Sequence, residues 1–87
     1  MIALQAKSFQ KSVRRLSQSI VNALSDRLEL FFQDPFHPTL HNHALFGRYA
    51  NCRSINITGD YRLIYENIDK DTVRFLDIDT HHNLYGN

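Results

Sequence analysis

The sequence predicts one α+β domain: two N-terminal helices packed on a small, mostly antiparallel twisted sheet. Three observations lead there. Apolar residues recur at helical spacing through residues 9–32, with no Gly or Pro before Pro35. Strict alternation follows, Ile55 and Ile57 against Ser54 and Asn56, and it ends in turn chemistry at Thr58-Gly59-Asp60. A third run, Thr72 to Thr80, is rich in strand-forming residues. Helical runs followed by strand runs favour helices gathered on one face of a sheet over an alternating α/β order.

At 87 residues, the chain is long enough for a single domain spanning 1–87. A domain of that size buries roughly 60–65% of the surface it exposes on unfolding, so its core is modest. An apolar content of 43%, with six Phe and four Tyr, supports a packed interior and argues against disorder.

Ser8 is the expected N-cap of the first helix, with Phe9, Val13 and Leu16 inward and Lys11, Arg14 and Arg15 on the other side. Ser17 or Ser19 caps the second. Its inward stripe is Ile20, Leu24, Leu28 and Phe31, widened by Val21, Leu30 and Phe32. Asp34-Pro35 ends this helix, because a residue before proline is pushed out of the α region. Residues 34–47 carry both prolines and end at Gly47. Long irregular loops in small domains are often functional, which draws attention to His37, His41 and His43.

The hairpin comes next, 52–57 returning as Tyr61 to Tyr65, with Ile55 and Ile57 entering the core and Ser54 and Asn56 facing out. Leu63 and Ile64 fall on opposite faces. Asn67 to Asp71 forms a second turn. In the last strand Val73 and Phe75 share a face, and Leu76 and Ile78 fall on both or on the other, the mark of a strand buried on two sides.

Charge is unevenly spread although the net is only +1. Residues 1–18 hold Lys7, Lys11, Arg14 and Arg15 and no acid, and 35–58 hold Arg48, Arg53 and three histidines and no acid. Such stretches can track a phosphate backbone, but on charge alone an ordinary solvated surface is the better reading. Cys52 is the single cysteine, which excludes an internal disulfide and fits a reducing compartment. Residues 1–6 are apolar but short and precede Lys7, neither a signal peptide nor a span. A soluble, cytoplasmic protein without membrane association is expected.

Five histidines cluster at 37–43 and 81–82. The spacing His37-x3-His41 and His41-x-His43 hints at zinc. One cysteine, no helix to hold an i, i+4 pair and no fourth ligand argue against it, so no metal or other cofactor is assigned. His37, His41 and His82 read as plain loop residues.

Three fragments, NHALFG (42–47), CRSINITGDYRLIY (52–65) and DTHHNLYG (79–86), taken in this order resemble the YafQ-type branch of the RelE/ParE toxin superfamily. The resemblance implies a RelE-like fold with a further short strand at Met1–Gln5, giving a sheet of three or four strands. It implies the toxin of a type II toxin–antitoxin pair, a ribosome-dependent endoribonuclease that cuts mRNA by metal-independent acid/base transesterification. His43 and His81 match histidines of the branch and Asp60 its turn acid, so these three are the catalytic candidates. Imidazole titrates near pH ~6.5 and can take and return a proton at neutral pH. Arg48, Arg53, Ser54, Asn56, Arg62 and Tyr85 are the candidate RNA contacts: guanidiniums for phosphates, Ser54 for a ribose, Asn56 for a base or phosphate, Tyr85 for stacking. Ser54 and Asn56 stand where well-known members of the branch carry Asp and His, and neither carries protons near pH 7. The implied partners are a small DNA-binding antitoxin, the ribosome and its mRNA, and operator DNA only through the antitoxin. Two alternatives share the scaffold: a ParE-like inhibitor of DNA gyrase, and a catalytically weakened member that binds its antitoxin.

Overall fold

The structure, a computed structural model, describes residues 1–86. Five strands form one sheet in the order β1-β5-β4-β3-β2: β1 Ile2–Gln5, β2 His43–Ala44, β3 Cys52–Asn56, β4 Tyr61–Asp69 and β5 Thr72–Thr80. All neighbours are antiparallel except β1, which runs parallel to β5 with Ile2 opposite Thr72 and Gln5 opposite Phe75. Helices α1 (Lys7–Arg14) and α2 (Gln18–Gln33) precede β2, and a short α3 (His81–Tyr85) follows β5 directly. The α+β expectation holds, with five strands in place of three or four. The extra strand is β2, whose two residues are too short to show a period.

The first helix begins one residue before the expected cap. Ala6 is its N-cap and makes no side-chain cap bond. The Ala6 N–H instead donates to the Phe75 carbonyl at 2.9 Å, so strand pairing rather than capping sets the entry. Ser8 is spent on β5, its hydroxyl donating to the Leu76 carbonyl. Of the two serines considered for α2, Ser17 is the cap and accepts from the Ile20 N–H.

Both long helices cover one face of the sheet. Phe9, Leu24 and Phe31 meet Ile55, Ile57, Leu63, Tyr65, Val73, Phe75 and Ile78 there. Phe31 has no exposed surface and meets Tyr65 edge-on, ring centroids 5.0 Å apart. Phe32, expected to widen the inward stripe, is 45% exposed at its margin. Leu40, on a 3₁₀ turn at Pro38–Leu40, is fully buried and pins the long loop to this core.

A bulge in β5 explains why its alternation was ambiguous. Ile64 pairs with Asp77 but Tyr65 pairs with Phe75, so Leu76 is an extra residue on that strand. One inserted residue reverses the alternation, which is how Val73, Phe75 and Ile78 all reach the same core.

The opposite face is not simply solvated. Ile55 and Ile57 point to the helices as expected, but Ser54 does not face out. Ser54 and its cross-strand partner Ile64 are fully buried on this second face, outside the main core. Helix α3, with Leu84 only 3% exposed, packs on β5 on the same side and turns a stretch of sheet into an interior.

Candidate active site

The chemistry-bearing side chains gather where the second face meets the loops. His41, His43, Asn56, Arg62, His81 and Tyr85 line one cavity of about 340 Å³. Among the described residues no carboxylate lines it. Pairing accounts for the convergence. His43 lies opposite Ser54, and Asn56 opposite Arg62, so side chains from β2, β3 and β4 emerge on one face in register. β5 then delivers His81, the first residue of α3, to the same end of the sheet.

Each group is fixed by local bonds. The His43 ring Nδ1 lies 2.8 Å from the His41 carbonyl oxygen. A carbonyl oxygen only accepts, so Nδ1 carries the hydrogen, and in the neutral ring Nε2 holds the free lone pair. His41 itself sits at φ 49°, in the left-handed region, as the end of the 3₁₀ turn. Its ring meets that of His43 edge-on at 5.4 Å. The Arg62 guanidinium donates to the carbonyls of Thr58, Gly59 and Tyr61 at 3.0–3.2 Å, which clamps it over the β3–β4 turn. The Thr80 hydroxyl caps α3 by accepting from the Asn83 N–H, and the His81 N–H donates to the Asp60 carbonyl at 2.9 Å. Tyr85, one turn along α3, packs edge-on against His81 at 4.7 Å and against Tyr49 at 6.1 Å.

The candidates do not all meet. His43 and His81 share the cavity with Asn56, Arg62 and Tyr85. Asp60 is outside its lining: its backbone carbonyl holds His81, and its exposed carboxylate forms no hydrogen bond among the described residues. Ser54 lies beneath the surface with no exposed area, beyond reach of a ribose. Arg53 points to the helix side, where it donates to the Asn42 side chain at 2.7 Å and lies over the Phe36 ring. Arg48 stands over the Tyr49 ring in a neighbouring hollow. His41, a plain loop residue by sequence, lines the cavity. Only the geometry of the 3₁₀ turn reveals it.

Three buried side-chain polar atoms lack a partner among the described residues: Ser54 Oγ, Asn56 Oδ1 and Tyr85 Oη. All belong to this second face or its α3 cover. Leaving a buried polar atom unpaired costs about 1–3 kcal/mol, a cost typical of sites shaped for something other than stability. Burial also pushes the Tyr49 phenol above its usual range, with Arg48 opposing.

Residues 3–86 match the family of bacterial toxins of type II toxin–antitoxin systems, YafQ. The chain belongs to this family. The crystal structure of YafQ from E. coli strain BL21(DE3) superposes with a TM-score of 0.80 at 26% identity, over 97% of each chain. YafQ in the E. coli DinJ–YafQ toxin–antitoxin complex gives 0.70 at 25% identity, over 97% of this chain and 96% of that one. A YoeB/ParE toxin from Agrobacterium tumefaciens, at 19% identity, shares the fold with a TM-score of 0.76 over 93% of this chain and 99% of its own. No curated protein sequence matches. Family and fold thus agree with the fragments at 42–47, 52–65 and 79–86. No helix among the described residues is long and apolar enough to cross a membrane.

Proposed function

We propose that this toxin is a ribosome-dependent endoribonuclease that cuts mRNA in the ribosomal A site by acid/base transesterification. One observation carries the reading: two histidines from distant segments, His43 and His81, open onto a single cavity beside a guanidinium. His43 Nε2 takes the proton of a ribose 2′-OH, and the 2′-oxygen attacks the adjacent phosphorus. The bond to the 5′-oxygen breaks, and His81 gives that oxygen its proton. Arg62 meets the charge that builds on the phosphoryl oxygens. Asn56 and Tyr85 hold the nucleotide, and Asp60 acts through the backbone bond that seats His81. The products are a 2′,3′-cyclic phosphate and a free 5′-OH.

The natural ligand of the remaining surface is an antitoxin, a small protein carrying its own DNA-binding half. A groove of about 450 Å³ between the two long helices is lined by Phe9, Val13, Leu24 and Leu28 together with Arg14, and α1 carries no acid. It suits an acidic amphipathic segment. Co-purification from a two-gene operon with a raised melting temperature is expected; a neighbouring gene product that neither copurifies nor shifts melting removes the pairing.

Primer extension on programmed ribosomes tests the cleavage. Wild-type protein cuts, and the product ends are unchanged by EDTA once ribosome integrity is controlled. Undiminished cleavage by a folded His43→Ala, His81→Ala double variant would falsify the assignment of these residues. Relaxed or cleaved plasmid with gyrase, and intact mRNA, would replace the reading with gyrase inhibition.

A further inference from the structure

Phe46 is the most exposed large apolar side chain of the molecule, at 86%. It is held out rather than left loose. The Leu45 N–H donates to the Cys52 carbonyl at 3.0 Å on one side of it. On the other, Gly47 at φ 65° turns the chain into a 3₁₀ turn over Gly47–Tyr49. Beside it lies a second hollow of about 300 Å³, lined by Phe46, Arg48, Tyr49, Asn83, Leu84, Tyr85 and Gly86. Tyr85 lines this hollow and also the His43–His81 cavity. The two are therefore neighbours separated by one aromatic ring, and no carboxylate side chain of the described residues lines either.

From this arrangement we infer a second nucleotide subsite, in which an unpaired nucleobase stacks on Phe46 while Arg48 meets the adjoining phosphate. It rests on the RNA-cleavage reading and deepens it. An aromatic ring presented to solvent, a guanidinium placed over a neighbouring ring at 5.1 Å and a shared wall with the cleavage cavity are what a single strand needs to run from one hollow to the next. Stacking of this kind senses that a base is present and is tolerant of which base it is. The subsite thus holds the strand in place beside the scissile nucleotide, and identity is read at the cavity by Asn56.

The test is binding of labelled RNA trinucleotides to the full chain. Their first two sugars are 2′-deoxy so that neither linkage can be cleaved, and each is prepared intact or abasic at one terminal position. Phe46→Ala is expected to weaken the intact strand roughly 10-fold or more, whereas Phe46→Trp retains its affinity. For one of the two abasic strands, wild type and Phe46→Ala should bind alike. Equal losses for intact and abasic strands, or no loss from Phe46→Ala, overturn the subsite. Ribosomal cleavage by wild type in that event leaves the nuclease reading standing. Conversely, base-dependent binding through Phe46 without any ribosomal cleavage keeps the subsite and removes the nuclease. A message abasic beside the cut separates mRNA from ribosomal RNA as the source of such a base. A KM raised for wild type and unchanged for Phe46→Ala assigns it to mRNA. A Phe46→Ala loss that ignores the abasic position on ribosomes overturns that assignment. Melting temperatures of the variants should match wild type, since Phe46 contributes almost no buried surface.

Discussion

The two faces of this sheet are built by the same strands and do opposite work. Toward α1 and α2 the buried core is Ile55, Ile57, Leu63, Tyr65, Val73, Phe75 and Ile78, apolar but for one phenol, with Arg53 at its margin. Tyr65 is satisfied there, receiving a bond from the Asn42 side chain at 2.8 Å. On the other face stand Ser54, Asn56, Arg62 and, beyond them, His43, His81 and Tyr85, and here the three unpaired buried polar atoms are found. One face is closed and satisfied, the other is partly open and polar. The difference teaches that exposure does not mark the functional side: Ser54 and Ile64 on that side are as buried as the core. Unmet hydrogen-bonding capacity is the better marker.

The comparison is broken most severely by removing a proton carrier. His43→Ala or His81→Ala should each lower mRNA cleavage roughly 10²–10⁴-fold. Neither should lower the melting temperature appreciably, because both side chains are exposed. Loss of folding by circular dichroism in either variant would instead mean that the open face also carries stability.

The converse change is Phe31→Ala on the closed face. Phe31 has no exposed surface and packs on Tyr65 and Phe75. Its truncation should cost about 3–5 kcal/mol in urea unfolding. A cost below that of an exposed substitution would show that the two helices are dispensable cover.

Ser54→Ala sharpens the comparison by acting on the open face without touching RNA. It removes an unpaired buried hydroxyl, so stability should be unchanged or rise by up to about 1 kcal/mol. Cleavage should fall little, less than for Asn56→Ala. A marked loss of activity would mean that the Oγ takes part through a group it meets only when RNA is bound.

The smallest effect concerns Cys52, where burial, with Glu66 nearby, pushes the thiol above its usual range. Less thiolate is then present near pH 8, so alkylation by iodoacetamide should be slower than in the unfolded chain. The contrast should shrink as pH rises past the shifted value. Equal rates folded and unfolded at pH 8 would show an open site.

Much of this was legible in the residues. The hairpin's alternation and its turn at Gly59 give β3 and β4 with the right residues inward, and Thr72–Thr80 is β5 as read. What escaped depends on partners far away in sequence. Ala6 starts α1 because its N–H meets Phe75, which no capping rule anticipates. The bulge at Leu76 is a property of the β4–β5 pair, not of either strand. The site was legible in part for the same reason. The matching fragments picked out His43, Asn56, Arg62, His81 and Tyr85, whereas the placing of Arg53, Asp60 and Ser54 outside the cavity follows from strand register and from α3, a helix too short to announce itself by periodicity.

The parallel pairing of β1 with β5 bears on how the molecule comes into being. Ile2 is made long before its ladder partner, Thr72. Local hairpins assemble quickly, but a contact of such long sequence separation waits on loop closure and, during synthesis, on the arrival of its partner. Both the pairing of the edge strand β1 and the placing of the histidine at position 81 are thus completed late. A nascent chain can hold its hairpin and its helices while the cleft between His43 and His81 does not yet exist, so the architecture itself delays the moment at which the proposed nuclease site is complete.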